Sequence, residues 1–255
     1  MVTDVQSALA PVRERARDAA VLFDFDGTLA PIVDDPRESR PLPGASELLA
    51  AMARRYQLVG VVSGRPVGFL QALLPAGVAL WGLYGLEVVN GSRRIDHPSS
   101  GAWREVVEDV VRSSADRGPA GMVVETKGLS LTLHYRTHPE LAGPVHDWGA
   151  EQAARSGLVL RPARMSVELH PPIDVDKGTA VEDAARHAAA VCFVGDDVGD
   201  LPAYDALDRL AARGVHAVRV AVTSAENPAE LVRRADLTVD GPGEVLDLLR
   251  LLAEP

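Results

Sequence analysis

The 255-residue sequence predicts an α/β protein built on a parallel sheet, interrupted by a smaller α+β unit. Three observations carry that expectation. Short apolar runs alternate with helix-like segments. The runs are almost continuously apolar, as strands buried on both faces are. From about Gly101 to Pro172 the alternation breaks and the order becomes αββαββ.

Ala20 to Phe23 is the first strand candidate, and Gly44 to Tyr56 has helical spacing. Leu58 to Val62 follows as the second strand. In the inserted stretch, a helix over 102–118 precedes strand-like runs over 121–126 and 129–136, joined at Lys127-Gly128. A helix-like stretch over 139–157 then leads to runs over 158–163 and 165–171. After it come a helix candidate, Gly178 to Ala190, and two further strands, Val191 to Val194 and Ala217 to Val222. The expected organisation is a core made of residues 1–100 and 173–255, with residues 101–172 as an inserted domain and Ser99 to Gly101 as a hinge.

Composition narrows the function. The chain is 47% hydrophobic and 24% charged, ordinary for a globular protein. A net charge of -10 argues against nucleic acid or an anionic membrane as the main partner. No apolar run approaches the roughly 20 residues of a membrane span. The N-terminal stretch lacks a signal-peptide core, and the single Cys192 suits a reducing compartment, so a cytoplasmic protein is expected.

The stretch VLFDFDGTL, Val21 to Leu29, ends an apolar strand in two carboxylates one residue apart. Such charges are costly in a core, so either the strand opens onto water or a cation sits there. Ligands of parallel sheets bind beyond the carboxyl ends of strands. Three strand candidates end in polar groups: Asp24-Phe25-Asp26, Ser63-Gly64-Arg65 and Asp196-Asp197. If those strands are neighbours, Asp24, Asp26, Ser63 and Asp196 share one rim. Mg2+ suits such a set, with Asp24 and Asp196 as ligands, because it binds through one or two carboxylates plus substrate phosphate. Each group alone reads as a cap, a turn or a solvated lysine. The ordered set D-x-D-G-T, S-G-R, K-G at Lys177-Gly178 and G-D-D carries the signal.

These four motifs resemble those of the haloacid-dehalogenase superfamily of aspartate-nucleophile phosphatases. More narrowly, the chain resembles the trehalose-6-phosphate phosphatases. The resemblance rests on DFDGTLAPIVDDP (24–36), VVSGRP (61–66), GLYGLE (82–87), VETKGLSLTLHYR (124–136), VELHPPIDVDKG (167–178) and GDDVGD (195–200). It implies a Rossmann-like catalytic core and a cap that sets substrate specificity. It implies Asp24 as nucleophile and metal ligand, and Asp26 as general acid and base that lends its backbone carbonyl to Mg2+. Ser63 and Lys177 would hold the transferring phosphoryl group, with Arg65 assisting there or in cap closure. Asp196 would complete the metal site, with Asp197 and Asp200 in or near its shell. Glu125, Lys127 and Glu168 match sugar-binding cap positions, and Arg136 and Glu87 are further candidates.

The implied activity is Mg2+-dependent hydrolysis of trehalose 6-phosphate through an aspartyl-phosphate, by a monomer acting on a small sugar phosphate. Three departures stand out: Tyr84 in place of the family's usual His, Gly199 in place of Thr, and Leu201-Pro202 in place of an acidic pair. They leave open a related pseudo-disaccharide phosphate or glycosyl-glycerate phosphate as substrate. A non-catalytic sugar-phosphate sensor is the reading from another class, but every catalytic group of the motifs is present.

Overall fold

The computed structural model describes residues 5–163, 165–224 and 228–254. Among these, the first segment forms α1 (Val5–Glu14), β1 (Ala19–Phe23), α2 (Ala45–Arg55), β2 (Leu58–Val62), α3 (Val67–Gln71), β3 (Ala79–Gly82), β4 (Glu87–Asn90) and β5 (Arg93–Asp96). The middle segment forms α4 (Arg104–Arg117), β6 (Val123–Thr126), β7 (Leu131–His134), α5 (Ala142–Ser156), β8 (Val159–Ala163) and β9 (Ser166–His170). The last forms α6 (Lys177–Ala184), β10 (Ala190–Gly195), α7 (Leu201–Ala212), β11 (His216–Thr223), α8 (Ala229–Arg234), β12 (Leu237–Asp240) and α9 (Gly241–Ala253). The chain divides into two compact units, Met1–Ile95 with Val175–Pro255, and Asp96–Asp174.

The first unit is organised by strands buried on both faces. In β1, Ala19, Val21 and Phe23 join one core cluster while Ala20 and Leu22 join another. Side chains alternate across a strand, so a run that is apolar throughout must have cover on both sides. One cover is built from α1, α2, α3 and α9, through residues such as Leu9, Leu49, Leu70 and Leu248. The other is built from α6, α7 and α8, through Val181, Leu207 and Leu231. Burying Leu22 or Phe23 contributes roughly 1.5–3 kcal/mol each.

The strand order is β12-β11-β10-β1-β2-β3-β4-β5. β1 pairs in parallel with both β10 and β2, and the parallel pairing continues through β3 on one side and β12 on the other. β3 and β4 pair antiparallel. From β1 the chain moves outward through β2 and β3, then resumes on the opposite side at β10. That reversal creates the crevice in which ligands of such sheets bind.

Two expectations need correcting. The helix expected over Gly178 to Ala190 ends at Ala184, because Ala190 is the first residue of β10 and pairs with Ala19. Sheet pairing outweighs the helix propensity of the alanine-rich run. The strands β3, β4, β5 and β12 are additions to the four strands expected for this unit. Each has only four residues, too short for a periodic signal.

The second unit has the order α4-β6-β7-α5-β8-β9, with a four-stranded antiparallel sheet ordered β6-β7-β9-β8. One sheet face supplies Leu131, Leu133, Val167 and Leu169 to a core shared with Val107 and Val110 of α4 and Val145 of α5. The other face is polar. Pairing aligns Glu125, Thr132, Glu168 and Arg161 in one row across the four strands.

Candidate active site

The crevice between β1 and β10 collects the acidic residues. Phe23 pairs with Val194, and the Asp24 amide donates to the Val194 carbonyl at 2.8 Å. Asp24 therefore stands level with Gly195, and Asp196 one step beyond it. The carboxylate oxygens of Asp24, Asp196 and Asp200 lie within 4.8 Å of one another, all on buried residues. Lys177, the first residue of α6, reaches into this group. Its Nζ lies 2.7 Å from Asp24 Oδ1 and 2.6 Å from Asp200 Oδ1. Asp176 fixes the start of α6 by accepting from the Thr179 amide, while Thr179 Oγ1 accepts from the Asp176 amide.

Two glycines make the grouping possible. Gly27 has φ +83°, and a Cβ there would lie inside the Asp196 carboxylate. A Cβ on Gly195 would collide with the Asp200 carboxylate. Any side chain at either position would push a carboxylate out of the cluster.

The electrostatics follow from the crowding. Burial holds the Asp24 carboxyl well above the usual carboxylate range; Lys177 opposes this, while Asp200, Asp196 and Asp197 add to it. Asp200 is raised for the same first reason, burial, with Lys177 opposing. For Lys177, burial favours the neutral amine, but Asp200 and Asp24 outweigh it and hold the pKa well above its usual value. Three carboxylates thus face one ammonium. An all-oxygen donor set with excess negative charge suits a hard divalent cation.

The three acids differ in what they have left to offer. Asp200 Oδ1 accepts from Lys177, and its Oδ2 accepts from the amides of Asp196 and Asp197 at 2.8 and 3.1 Å. It braces the 195–197 turn and the lysine. Asp197 accepts from the Gly199 amide, capping the turn Val198–Asp200.

Asp26 has a different set of partners. Arg65 grips it through both carboxylate oxygens, Nε to Oδ2 at 2.7 Å and Nη2 to Oδ1 at 2.8 Å. Ser39 Oγ donates to Oδ1 at 2.8 Å. The Arg65 guanidinium also lies over the Phe69 ring, 4.7 Å from its centroid. Ser63, directly after β2, accepts from the Arg65 amide through its hydroxyl at 3.1 Å. Leu83, Tyr84 and Gly85 all have positive φ, at +49°, +61° and +109°. Their strained turn is tied to the Ser63–Arg65 loop by amide bonds from Tyr84 to the Ser63 carbonyl and from Leu83 to the Arg65 carbonyl, each 3.0 Å. Glu87 accepts from the Val67 amide and pairs with Arg94, so it anchors the start of α3.

In the second unit, the expected sugar-binding residues share the polar sheet face or its edge. His134 and Glu125 are bonded at 2.8 Å, Ser130 Oγ donates to Glu168 Oε1 at 2.9 Å, and Lys127 Nζ lies 3.5 Å from the same oxygen. Among the described residues, Thr132 Oγ1 and His170 Nε2 are buried on this unit with no hydrogen-bond partner. Burial lowers the His170 pKa, and Arg161 adds to that. Arg136 lies two residues past β7 and forms no ion pair among the described residues.

A family model described as Trehalose-phosphatase matches residues 22–236, most of the chain. The chain belongs to the trehalose-phosphatase family. It is 32% identical to the trehalose-phosphate phosphatase of Mycobacterium leprae over 93% of its own length and 58% of that protein's. It is 33% identical to that of Mycobacterium avium over 75% of its length and 52% of that protein's. The chain thus spans a little over half the length of these relatives. The C-terminal domain of the Candida albicans trehalose-6-phosphate phosphatase shares the fold, with a TM-score of 0.80, 23% identity and coverage of 99% and 97% of the two chains.

Within this trehalose-phosphatase fold, each unit carries its own group of motif residues. Ser39, Ser130, Thr132, His134 and His170 are the site residues that sequence reasoning did not select. Ser39 gave no usable signal, since a serine in a polar loop has many ordinary roles. His134 and His170 alternate with apolar residues on their strands, and that period puts them on the Glu168 face.

Proposed function

We propose that the protein is a Mg2+-dependent phosphatase that hydrolyses trehalose 6-phosphate through an aspartyl-phosphate on Asp24. The observation that carries this reading is the convergence of Asp24, Lys177, Asp196 and Asp200 at the carboxyl ends of β1 and β10, with Asp26 two residues from the nucleophile. The family's relatives named as trehalose-phosphate phosphatases support the substrate.

Phosphate monoesters hydrolyse very slowly in water, and two anions must meet for a carboxylate to attack one. Lys177 beside Asp24 neutralises charge on the transferring group. Asp24 and Asp196 would hold Mg2+, which supplies further neutralisation of phosphate oxygens. In the first displacement an Asp24 oxygen bonds to phosphorus as the sugar oxygen leaves, protonated by Asp26. In the second, water attacks the aspartyl-phosphate while Asp26 takes its proton, and Asp24 is regenerated. Ser63, at the end of β2, would bind the phosphoryl group.

We assign sugar recognition to the polar face of the second unit. Its buried Glu168 and half-buried Glu125, with Lys127, His134 and Thr132, offer both donors and acceptors to hydroxyl groups. The bonds already present among them fix their orientation. A sugar lacking the matching hydroxyls would leave buried polar groups unpaired, which is the strong form of specificity. A cytoplasmic place suits the buried free thiol of Cys192.

The test is release of inorganic phosphate from trehalose 6-phosphate with Mg2+, with EDTA, and with Asp24→Asn. Release that needs both the metal and Asp24, and that far exceeds release from glucose 6-phosphate, is expected. Hydrolysis of an aryl phosphate through Asp24 with trehalose 6-phosphate inert would keep the chemistry and overturn the substrate.

A further inference from the structure

We infer that Ser39 and Arg65 are positioning residues that fix Asp26 so that Oδ2 is its proton-exchanging atom. The inference rests on the phosphatase reading above. It starts from counting lone pairs. Each carboxylate oxygen has two in-plane acceptor sites. Asp26 Oδ1 accepts from Ser39 Oγ and Arg65 Nη2, each at 2.8 Å, so both of its sites are filled. Among the described residues Oδ2 accepts only from Arg65 Nε at 2.7 Å, which leaves one site for a proton.

The braces are themselves held. Ser39 is wholly buried, and its amide donates to the Pro36 carbonyl at 3.4 Å, within the turn that follows the first motif. Arg65 is 7% exposed and stacked on Phe69, whose ring meets Phe25 edge-on at 5.9 Å between centroids. Phe25 lies between Asp24 and Asp26, so the aromatic pair ties the guanidinium to the strand end that carries both acids. A bidentate Arg–carboxylate pair fixes the carboxylate plane in a way that a single contact cannot.

The consequence is a division of labour on one carboxyl group. Oδ1 is the anchored oxygen. The Oδ2 proton passes to the leaving sugar oxygen as the P–O bond to the sugar breaks and the bond to Asp24 forms. The vacated Oδ2 site then receives a proton from water as that water bonds to phosphorus and the Asp24–phosphorus bond breaks. Asp26 ends protonated, as it began. Proton transfer is worth about 10²–10⁴-fold in rate, and loses efficiency when the group is misaimed.

The experiment compares wild type, Ser39→Ala and Arg65→Lys on two substrates with Mg2+: the sugar phosphate that wild type hydrolyses fastest, and 4-nitrophenyl phosphate. The aryl group departs as a stable anion and needs no proton in the first step. Ser39→Ala is expected to lower kcat on the sugar phosphate roughly tenfold, the effect of one lost hydrogen bond to a charged group, with KM within about twofold. Arg65→Lys, which keeps the charge and loses the fork, is expected to lower it by about a hundredfold. In Ser39→Ala the pre-steady-state burst of 4-nitrophenolate is expected to stay within about threefold of wild type, since this step bypasses Asp26. An equal loss in the burst, a loss confined to KM, or no loss in Ser39→Ala overturns the positioning role and leaves the phosphatase reading standing. A wild-type protein that releases phosphate from neither substrate overturns both.

Discussion

Lys177 Nζ lies 2.7 Å from Asp24 Oδ1, joining the first residue of α6 to the end of β1 across more than half of the sequence. The contact exists because β10 and β1 are neighbours and α6 precedes β10. It also makes the lysine the only cation of a buried acidic cluster among the described residues that could hold a metal. Removing it should therefore change stability as well as catalysis. Lys177→Met is expected to lower kcat by about a hundredfold to a thousandfold. It is also expected to destabilise the metal-free protein by about 3 kcal/mol, because buried carboxylates lose their counter-charge. Mg2+ should recover much of that loss, since a ligand at a hundred times its Kd stabilises by about 2.7 kcal/mol. Urea unfolding with EDTA and with Mg2+ checks this. A variant equally stable in both media would remove the cluster's claim to a cation.

Gly27 is the second test of the acidic cluster. Its φ of +83° disfavours any other residue, and a Cβ would intrude on the Asp196 carboxylate. Gly27→Ala is expected to cost about 1–3 kcal/mol from the backbone alone. Displacing Asp196 is expected to reduce activity about a hundredfold, with a weaker apparent affinity for Mg2+. Thermal unfolding and a Mg2+ titration of phosphate release check the two effects separately. Unchanged Mg2+ dependence would mean that Asp196 is not a ligand.

Much of this site was legible before any coordinates, and the parts that were not have physical reasons. β1 and β10 announced themselves because strands covered on both faces are apolar throughout, as Val21-Leu22-Phe23 and Val191 to Val194 are. The acids that follow them stood out against that background. The polar face of β9 was equally open to reading, since Val167 and Leu169 alternate with Glu168 and His170. Ser39 was invisible, because its role depends on a turn closing back 13 residues onto Asp26. Glu87 was visible but its task was not. Its bond to the Val67 amide depends on how β4 lies beside the start of α3. The end of α6 at Ala184 was misread because helix propensity is local, whereas the pairing of Ala190 with Ala19 is not.

Thr132 offers a prediction in which stability and function move in opposite directions. Its hydroxyl is buried without a partner among the described residues, in the row that also holds Glu125 and Glu168. A buried unpaired hydroxyl costs about 1–3 kcal/mol. Thr132→Val keeps the shape and removes that cost, so the free protein should gain about 1 kcal/mol. If the hydroxyl serves a sugar, KM for trehalose 6-phosphate should rise severalfold with kcat little changed. Denaturant melts and steady-state kinetics on the same preparation decide it. A stabilised variant with unaltered KM would place the sugar away from this row.

Gly64 and Tyr84 form a pair whose coupling is measurable. A Cβ on Gly64 would lie 2.6 Å from the Tyr84 hydroxyl oxygen and 2.9 Å from the ring carbon that bears it, so the phenol rests directly on this glycine. Tyr84 holds that place from a left-handed conformation, φ +61°, that ordinarily costs a non-glycine residue of order 1–3 kcal/mol. The turn is retained despite this cost, and its amides bond the carbonyls of Ser63 and Arg65. Gly64→Ala should therefore shift the phenol, the Ser63–Arg65 loop, or both. We expect it to destabilise the protein by about 1–3 kcal/mol, as overpacking does, and to lower kcat. Tyr84→Ala alone removes the packing on Gly64 and should also lower kcat. In the double variant the added methyl no longer meets the phenol, so its cost should largely vanish, giving a coupling energy of about 1–2 kcal/mol in a double-mutant cycle. Chemical unfolding of the four proteins measures that coupling. Simple additivity would show that the phenol and the glycine do not press on each other, and that the strained turn holds the second-motif loop through its backbone bonds alone.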